Sequence, residues 1–199
     1  MKTCNLLLTG AVMLSAAFTQ QAEGAVIVNI TQSGSNVVES GSGTLNLTAL
    51  AFQFNLSFNS GVFPGVGEAE VGPSGSHSFD SYVTTTGPTS FGSSVITALS
   101  SGTGDFFGVN GTSHDLFVPH GYVSGASLSG TSTFNSTTLS SMSLTTGTYV
   151  WTWGSGATAD SYTLNVGSAA TPEPGSLGML GAGLLAGGLI KRRLTRRPF

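Results

Sequence analysis

The chain has 199 residues, of which 8% are charged and 39% hydrophobic, and a formal net charge of -3. All six basic residues lie near the two ends, and none falls between Ala25 and Thr171, a span that carries seven carboxylates. Nothing in that span can neutralise phosphates, which excludes nucleic-acid binding and disfavours anionic substrates.

Residues 1–24 read as a secretory signal peptide. Lys2 gives a short positive start, Leu6 to Phe18 an apolar stretch, and Ala22-Glu23-Gly24 the small residues a signal peptidase needs, with cleavage before Ala25. The apolar stretch is shorter than the roughly 20 residues that span a bilayer. Cys4, the one cysteine, lies in this leader. The mature chain then has no thiol, and its stability rests on packing and sheet hydrogen bonds.

From Ala25 the apolar periodicity is two rather than 3.6. Residues 26–30 should form a first strand. Leu50, Phe52, Phe54, Leu56 and Phe58 alternate with polar residues and predict a strand with one face on a core. Leu45 and Leu47 run in the opposite phase, which predicts a bulge or turn near Ala49. Shorter strands are expected near 79–84, 95–99, 116–118, 122–128 and 142–144, and a last one through Tyr162, Leu164 and Val166. Gly, Pro and Ser clusters at 61–67 and 72–75 separate them. Residues 25–167 therefore predict an all-β domain, an antiparallel β-sandwich or jelly roll.

Chemical signals in this domain are sparse. His114, Asp115 and His120 lie near Asp105 in sequence, but their spacing fits no standard metal set, and they read as polar loop residues. Glu68 and Glu70 sit two apart and would share one strand face or lie together in a loop. They leave weak calcium binding open, although no Asp-rich calcium loop accompanies them. No nucleophile elbow and no phosphate loop occur, so the expectation is a protein without enzymatic activity, cofactor or metal. Tyr149, Trp151 and Trp153 share one strand face. The row reads first as core, and alternatively as a platform for sugar rings, with Trp153 at the turn the better placed for exposure.

The C-terminus has three parts. Residues 168–174 form a linker ending in Pro172-Glu173-Pro174, which must be extended. Residues 175–190 carry no charge and predict one membrane helix, rising about 24 Å at about 1.5 Å per residue. That is short for a hydrocarbon core of about 30 Å. Residues 191–199 are basic through Lys191, Arg192, Arg193, Arg196 and Arg197, a stop-transfer end that stays cytoplasmic and leaves the acidic domain outside.

This order of parts resembles the PEP-CTERM sorting signal of bacteria that make exopolysaccharide. The stretch Gly147 to Ser161, with its Tyr149, Trp153-Gly154 and Ala159-Asp160-Ser161, also resembles a segment that recurs upstream of such tails. The resemblance implies that Pro172, Glu173 and Pro174 are recognition residues for exosortase, a membrane transpeptidase-like enzyme, and that Arg192 and Arg193 belong to the stop-transfer end. It implies export, transient residence in the inner membrane facing the periplasm, then release to the envelope or an exopolysaccharide matrix. On that reading the chain is a surface or biofilm-matrix protein. The alternatives are a carbohydrate-binding module or adhesin, and a polysaccharide-acting hydrolase.

Overall fold

The computed structural model describes residues 25–93 and 96–167. The expected leader, linker, membrane helix and basic end lie outside these residues. Within them the chain is all-β. The strands are β1 (Ala25–Ser33), β2 (Asn36–Thr44), β3 (Ala51–Asn59), β4 (Gly61–Phe63), β5 (Glu68–Val71), β6 (Ser76–Val83), β7 (Thr97–Ala98), β8 (Ser101–Gly104), β9 (Phe107–Asn110), β10 (Asp115–Pro119), β11 (Ser127–Phe134), β12 (Gly147–Trp153) and β13 (Asp160–Val166). Two short 3₁₀ turns, Pro64–Val66 and Gly156–Thr158, are the only helical elements among the described residues.

The strands form two sheets, ordered β12-β13-β1-β2-β11-β8 and β3-β6-β10-β9-β5-β4-β7. The sequence predicted antiparallel sheets. One pair departs from that: β1 and β13 run parallel, with Ala25 opposite Ser161 and Ile30 opposite Val166. Parallel neighbours require a long crossover, and here the rest of the domain supplies it.

The two sheets share one core. Val26, Val28 and Ile30 of β1, Tyr162, Leu164 and Val166 of β13, and Trp151 of β12 meet Ala69 and Val71 of β5, Phe107 and Val109 of β9, and Leu116 and Val118 of β10. Hydrogen bonds cross the gap: Tyr162 donates to the Ala69 carbonyl, and the Gly72 amide donates to Ser132 Oγ. One ring sets how closely the sheets approach. Gly41 of β2 and Gly130 of β11 are cross-strand partners on the inner face. A Cβ at Gly41 would lie 3.0 Å from Phe107 Cζ and 2.7 Å from Val28 Cγ2, and one at Gly130 would lie 3.4 Å from Phe107 Cε1. The two glycines form a socket for the Phe107 ring.

Several expected strands shift. The segment at 122–126 is loop with a short turn, and the strand is β11, beginning at Ser127. Met142 and Ser143 lie in a turn and Leu144 forms an isolated bridge with Gly92, and Met142 and Leu144 are still buried. β3 departs most. A register shift between Phe52 and Phe54 splits the apolar row. Phe52 pairs with Tyr82, whereas Phe54, Leu56 and Phe58 share the opposite face with Ser81, Phe79 and His77. β3 is an edge strand, and Phe52 and Leu56 are exposed rather than set in the main core.

The socket yields a test. Gly41→Ala should destabilise the protein by about 1–3 kcal/mol through overpacking. Phe107→Leu in the same chain should recover part of that loss, giving a non-additive double-mutant cycle. Denaturant titration measures all three variants, and strict additivity would refute the socket.

Candidate functional site

The second sheet has an apolar cluster on the face turned away from the first sheet. Chain connectivity shows why that face is sheltered. β3 and β4 are five strand spacings apart in sheet order, about 24 Å if the sheet were flat. Only Ser60 lies between them in the chain, and two residue steps reach at most about 7 Å. The sheet must therefore curl until its edge strand approaches β4, with the outer face inside the curl.

Phenylalanines fill part of that curl. Phe79, Phe106 and Phe117 are buried together, and Phe54 and Phe58 pack on them. Phe58 sits at the centre, its ring 4.3 Å from Phe79 and 5.7 Å from Phe117, both edge to face. Beside the cluster lies an open cleft of about 540 Å³ lined by Phe54, Leu56, Phe58, Phe117 and Ile96, with Glu68, Glu70 and Asn110 on one wall. That size is ordinary for a small-molecule site.

Strand alternation places the two glutamates. In β5, Ala69 and Val71 enter the core, so Glu68 and Glu70 project from the other face, as the two-residue spacing predicts. Glu68 lies opposite Asn110, whose Nδ2 donates to its Oε2 at 2.5 Å. Glu70 lies opposite Gly108, where a Cβ would stand 2.9 Å from Glu70 Cγ, so only glycine leaves room for the side chain. Glu70 is 1% exposed. Its Oε2 accepts the Gly61 amide at 3.1 Å, and its Oε1 has no hydrogen-bond partner.

Electrostatics follow from burial without cations. Burial pushes the Glu70 carboxyl well above the usual range, Glu68 and Glu39 push it further, and the Gly61 amide only partly offsets them. Burial also raises Glu68, the Asn110 bond lowers it, and the charge of Asp115 raises it again. Glu39 of β2 faces the main core, fully buried, with both carboxyl oxygens unpartnered. Desolvation raises it to about 8.

The other sequence candidates are dispersed. His120 Nδ1 lies 2.8 Å from Asp80 Oδ1, while the Gly121 amide and Asn55 also bind that carboxylate. Burial raises Asp80, but these partners outweigh it and hold the carboxyl below its usual value. Asp115 accepts from Ser81 and Ser113, Asp105 accepts the Ser129 amide, and His114 occupies a left-handed turn position on the surface. Among the described residues, no three His, Cys, Asp or Glu side chains are grouped to hold a metal ion.

Both indoles of the aromatic row lie in the core, its first reading, and only the exposure expected of Trp153 is corrected. Trp151 is fully buried, and its Nε1 donates to the Pro88 carbonyl at 3.0 Å. Trp153, expected at an exposed turn, is 5% exposed and donates to the Asn46 carbonyl at 2.8 Å. The loop after β2 covers Trp153, and the loop after β6 covers Trp151. Tyr149 is half-buried against Phe91, with its hydroxyl on the Thr145 carbonyl. Neither indole offers a face to a sugar. Phe54 and Phe58 were legible as one row of β3, but Phe79 of β6, Phe117 of β10 and Phe106 join them only through the fold of the sheet.

Beyond the described strands, the family model of the PEP-CTERM protein-sorting motif matches residues 170–197. The chain carries a PEP-CTERM protein-sorting motif. Pro172, Glu173, Pro174 and the basic residues Lys191 to Arg197 all fall within it. PEP-CTERM signals are recognised by exosortase, and they imply export and membrane-associated sorting toward the cell surface. No curated protein and no solved structure matches the chain.

The buried acids give stability a definite pH dependence. Glu39 has a folded value of about 8 against an ordinary 4.5. Below the lower value it is protonated in both states. Above it the unfolded chain ionises and the folded one does not, so stability falls with rising pH until about 8. The slope is about 1.4 kcal/mol per pH unit. Glu70 acts in the same direction. Glu39→Gln should flatten the decline between pH 5 and 8 and leave the variant the more stable protein at pH 8. Unfolding titrations across that range measure it, and an unchanged slope would rule out Glu39 as the source.

Proposed function

We propose that this is a bacterial surface or extracellular-matrix protein without enzymatic activity, delivered by its PEP-CTERM tail and associated with exopolysaccharide. The motif at residues 170–197 is the observation that carries this reading. Residues 1–24 direct export and are removed, and residues 25–167 form the exported domain. Residues 168–174 present Pro172-Glu173-Pro174 to exosortase, residues 175–190 cross the inner membrane, and residues 191–199 hold the cytoplasmic side.

Physical features of the tail support temporary rather than permanent residence. Sixteen uncharged residues make a helix of about 24 Å, shorter than the hydrocarbon core of about 30 Å. Mismatch of that kind costs free energy for as long as the helix stays inserted. The two prolines keep the preceding segment extended and accessible to an enzyme. The domain itself supports a non-catalytic role: its Asp side chains, His77 and His120 are engaged with separate partners, and its indoles are buried.

The decisive measurement is mass spectrometry of the mature C-terminus from hosts with and without exosortase. The expected result is loss of the helix and basic end by cleavage at or near Pro172–Pro174 only when the enzyme is present. Exported protein retaining Phe199 in the competent host would defeat the reading. Replacing Pro172-Glu173-Pro174 by alanines should leave the chain unprocessed and membrane-bound in fractionation.

A further inference from the structure

The cleft inside the curl of the second sheet is a built site whose polar wall is incomplete. Glu70 lines it, is 1% exposed, and leaves Oε1 without a partner. A buried acceptor without a donor carries an uncompensated desolvation cost, larger when it is charged. Glu68 stands on the same face and raises the cost of charging Glu70. Their neighbours are acids as well: Glu39 on β2, Asp115 on β10 and the Tyr162 phenol on β13 act on this pair or on each other. No Lys or Arg lies between residues 25 and 171 to answer them.

We infer that this cleft binds an organic ammonium ion with an apolar body, its cationic head between Glu68 and Glu70 and its body among Phe54, Leu56, Phe58 and Phe117.

Each property of the site selects for that class. The head supplies the donor that Glu70 Oε1 lacks. Its positive charge relieves the repulsion between the two carboxylates, which a neutral donor leaves in place. An anionic head meets only like charge. Aromatic faces attract a cation when it is desolvated, and the phenylalanines also bury the apolar body. A bare divalent ion fits poorly, because calcium takes six to eight oxygens and half of the lining residues are Phe, Leu, Ile or Ala. Binding requires ionised carboxylates, so uptake of the cation expels protons, and affinity rises with pH through the raised carboxyl range.

The test uses the full chain in a neutral detergent and three ligands with one aromatic body: phenethylamine, phenethyl alcohol and 3-phenylpropionate. Calorimetric titration at pH 8 should show the amine binding about tenfold or more tighter than the alcohol, as expected for a charge-assisted bond. The propionate should give no heat of binding. At pH 6 the amine should bind more weakly, with protons released into the buffer. Glu70→Gln keeps the Gly61 bond and the side-chain volume. It should retain the wild-type unfolding midpoint or raise it, lose most of the amine affinity, and leave the alcohol affinity unchanged. Equal affinity for amine and alcohol, no binding of the amine, undiminished amine binding by Glu70→Gln, or tighter binding of calcium chloride would each overturn the inference.

Discussion

Between Ala25 and Thr171 no side chain carries a permanent positive charge, and the fold nevertheless buries carboxylates. Each must be satisfied by an amide, a hydroxyl, a histidine or its own proton. Asp160 accepts the Asn46 and Ser161 amides, and Asp105 the Ser129 amide. Asp115 uses two serine hydroxyls, and Asp80 uses His120, Asn55 and the Gly121 amide. Several of these bonds cross between segments far apart in sequence, so the acids double as clamps. Asp160 ties the start of β13 to the loop after β2, the loop that also covers Trp153. Glu70 and Glu39 are the exceptions. Glu70 finds one donor and Glu39 none, so protonation must do for them what neighbours do for the aspartates.

Connectivity imposes the second constraint. The single residue between β3 and β4 forces the second sheet to curl, and the curl turns its outer face into a sheltered cleft. In the first sheet the parallel pairing of β1 with β13 orients the domain. Both strands run the same way, so the chain enters the sheet at Ala25 and leaves it at the opposite end, beyond Val166. Those ends stand about 17 Å apart along the strands, at about 3.3 Å per residue. The end that leads to the sorting motif is therefore opposite the end where the domain begins.

Legibility in the sequence tracked side-chain size. β1 and β13 were readable because Val, Ile, Tyr and Leu alternate strictly on a half-buried surface. β2 and β8 were not, since Ser and Gly carry no apolar period, and their place is fixed by partners such as β11 and the Phe107 socket. β3 had the clearest alternation and was read as a core strand. A bulge moved Phe52 to the other face, and the curl made the rest of the row the wall of a second, smaller cluster. Trp153 was misjudged because a following glycine signals a turn but says nothing of the distant loop that covers the ring. Glu68 and Glu70 share a strand face, one of the two arrangements their spacing allowed, yet Phe54 and Phe58 of β3 and Phe117 of β10 become their neighbours only when the sheet closes. The sorting tail was the most legible part, because its signal lies in the order of three adjacent segments and needs no tertiary partner.

The two constraints meet at β5. That strand sends Ala69 and Val71 into the main core and Glu68 and Glu70 into the cleft, and Glu39 across the core acts electrostatically on Glu70. The same carboxyl thus belongs to the stability of the fold and to the chemistry of the cleft. Protonation satisfies it at low pH, at the expense of stability as pH rises. A cation in the cleft satisfies it at high pH, and any ligand that binds only the folded state stabilises that state. Proton and cation compete for one group, so the conditions that weaken the empty domain are those under which the cleft holds a cation best. For a domain with no Lys or Arg of its own, an external positive charge is the means of keeping both glutamates ionised and buried.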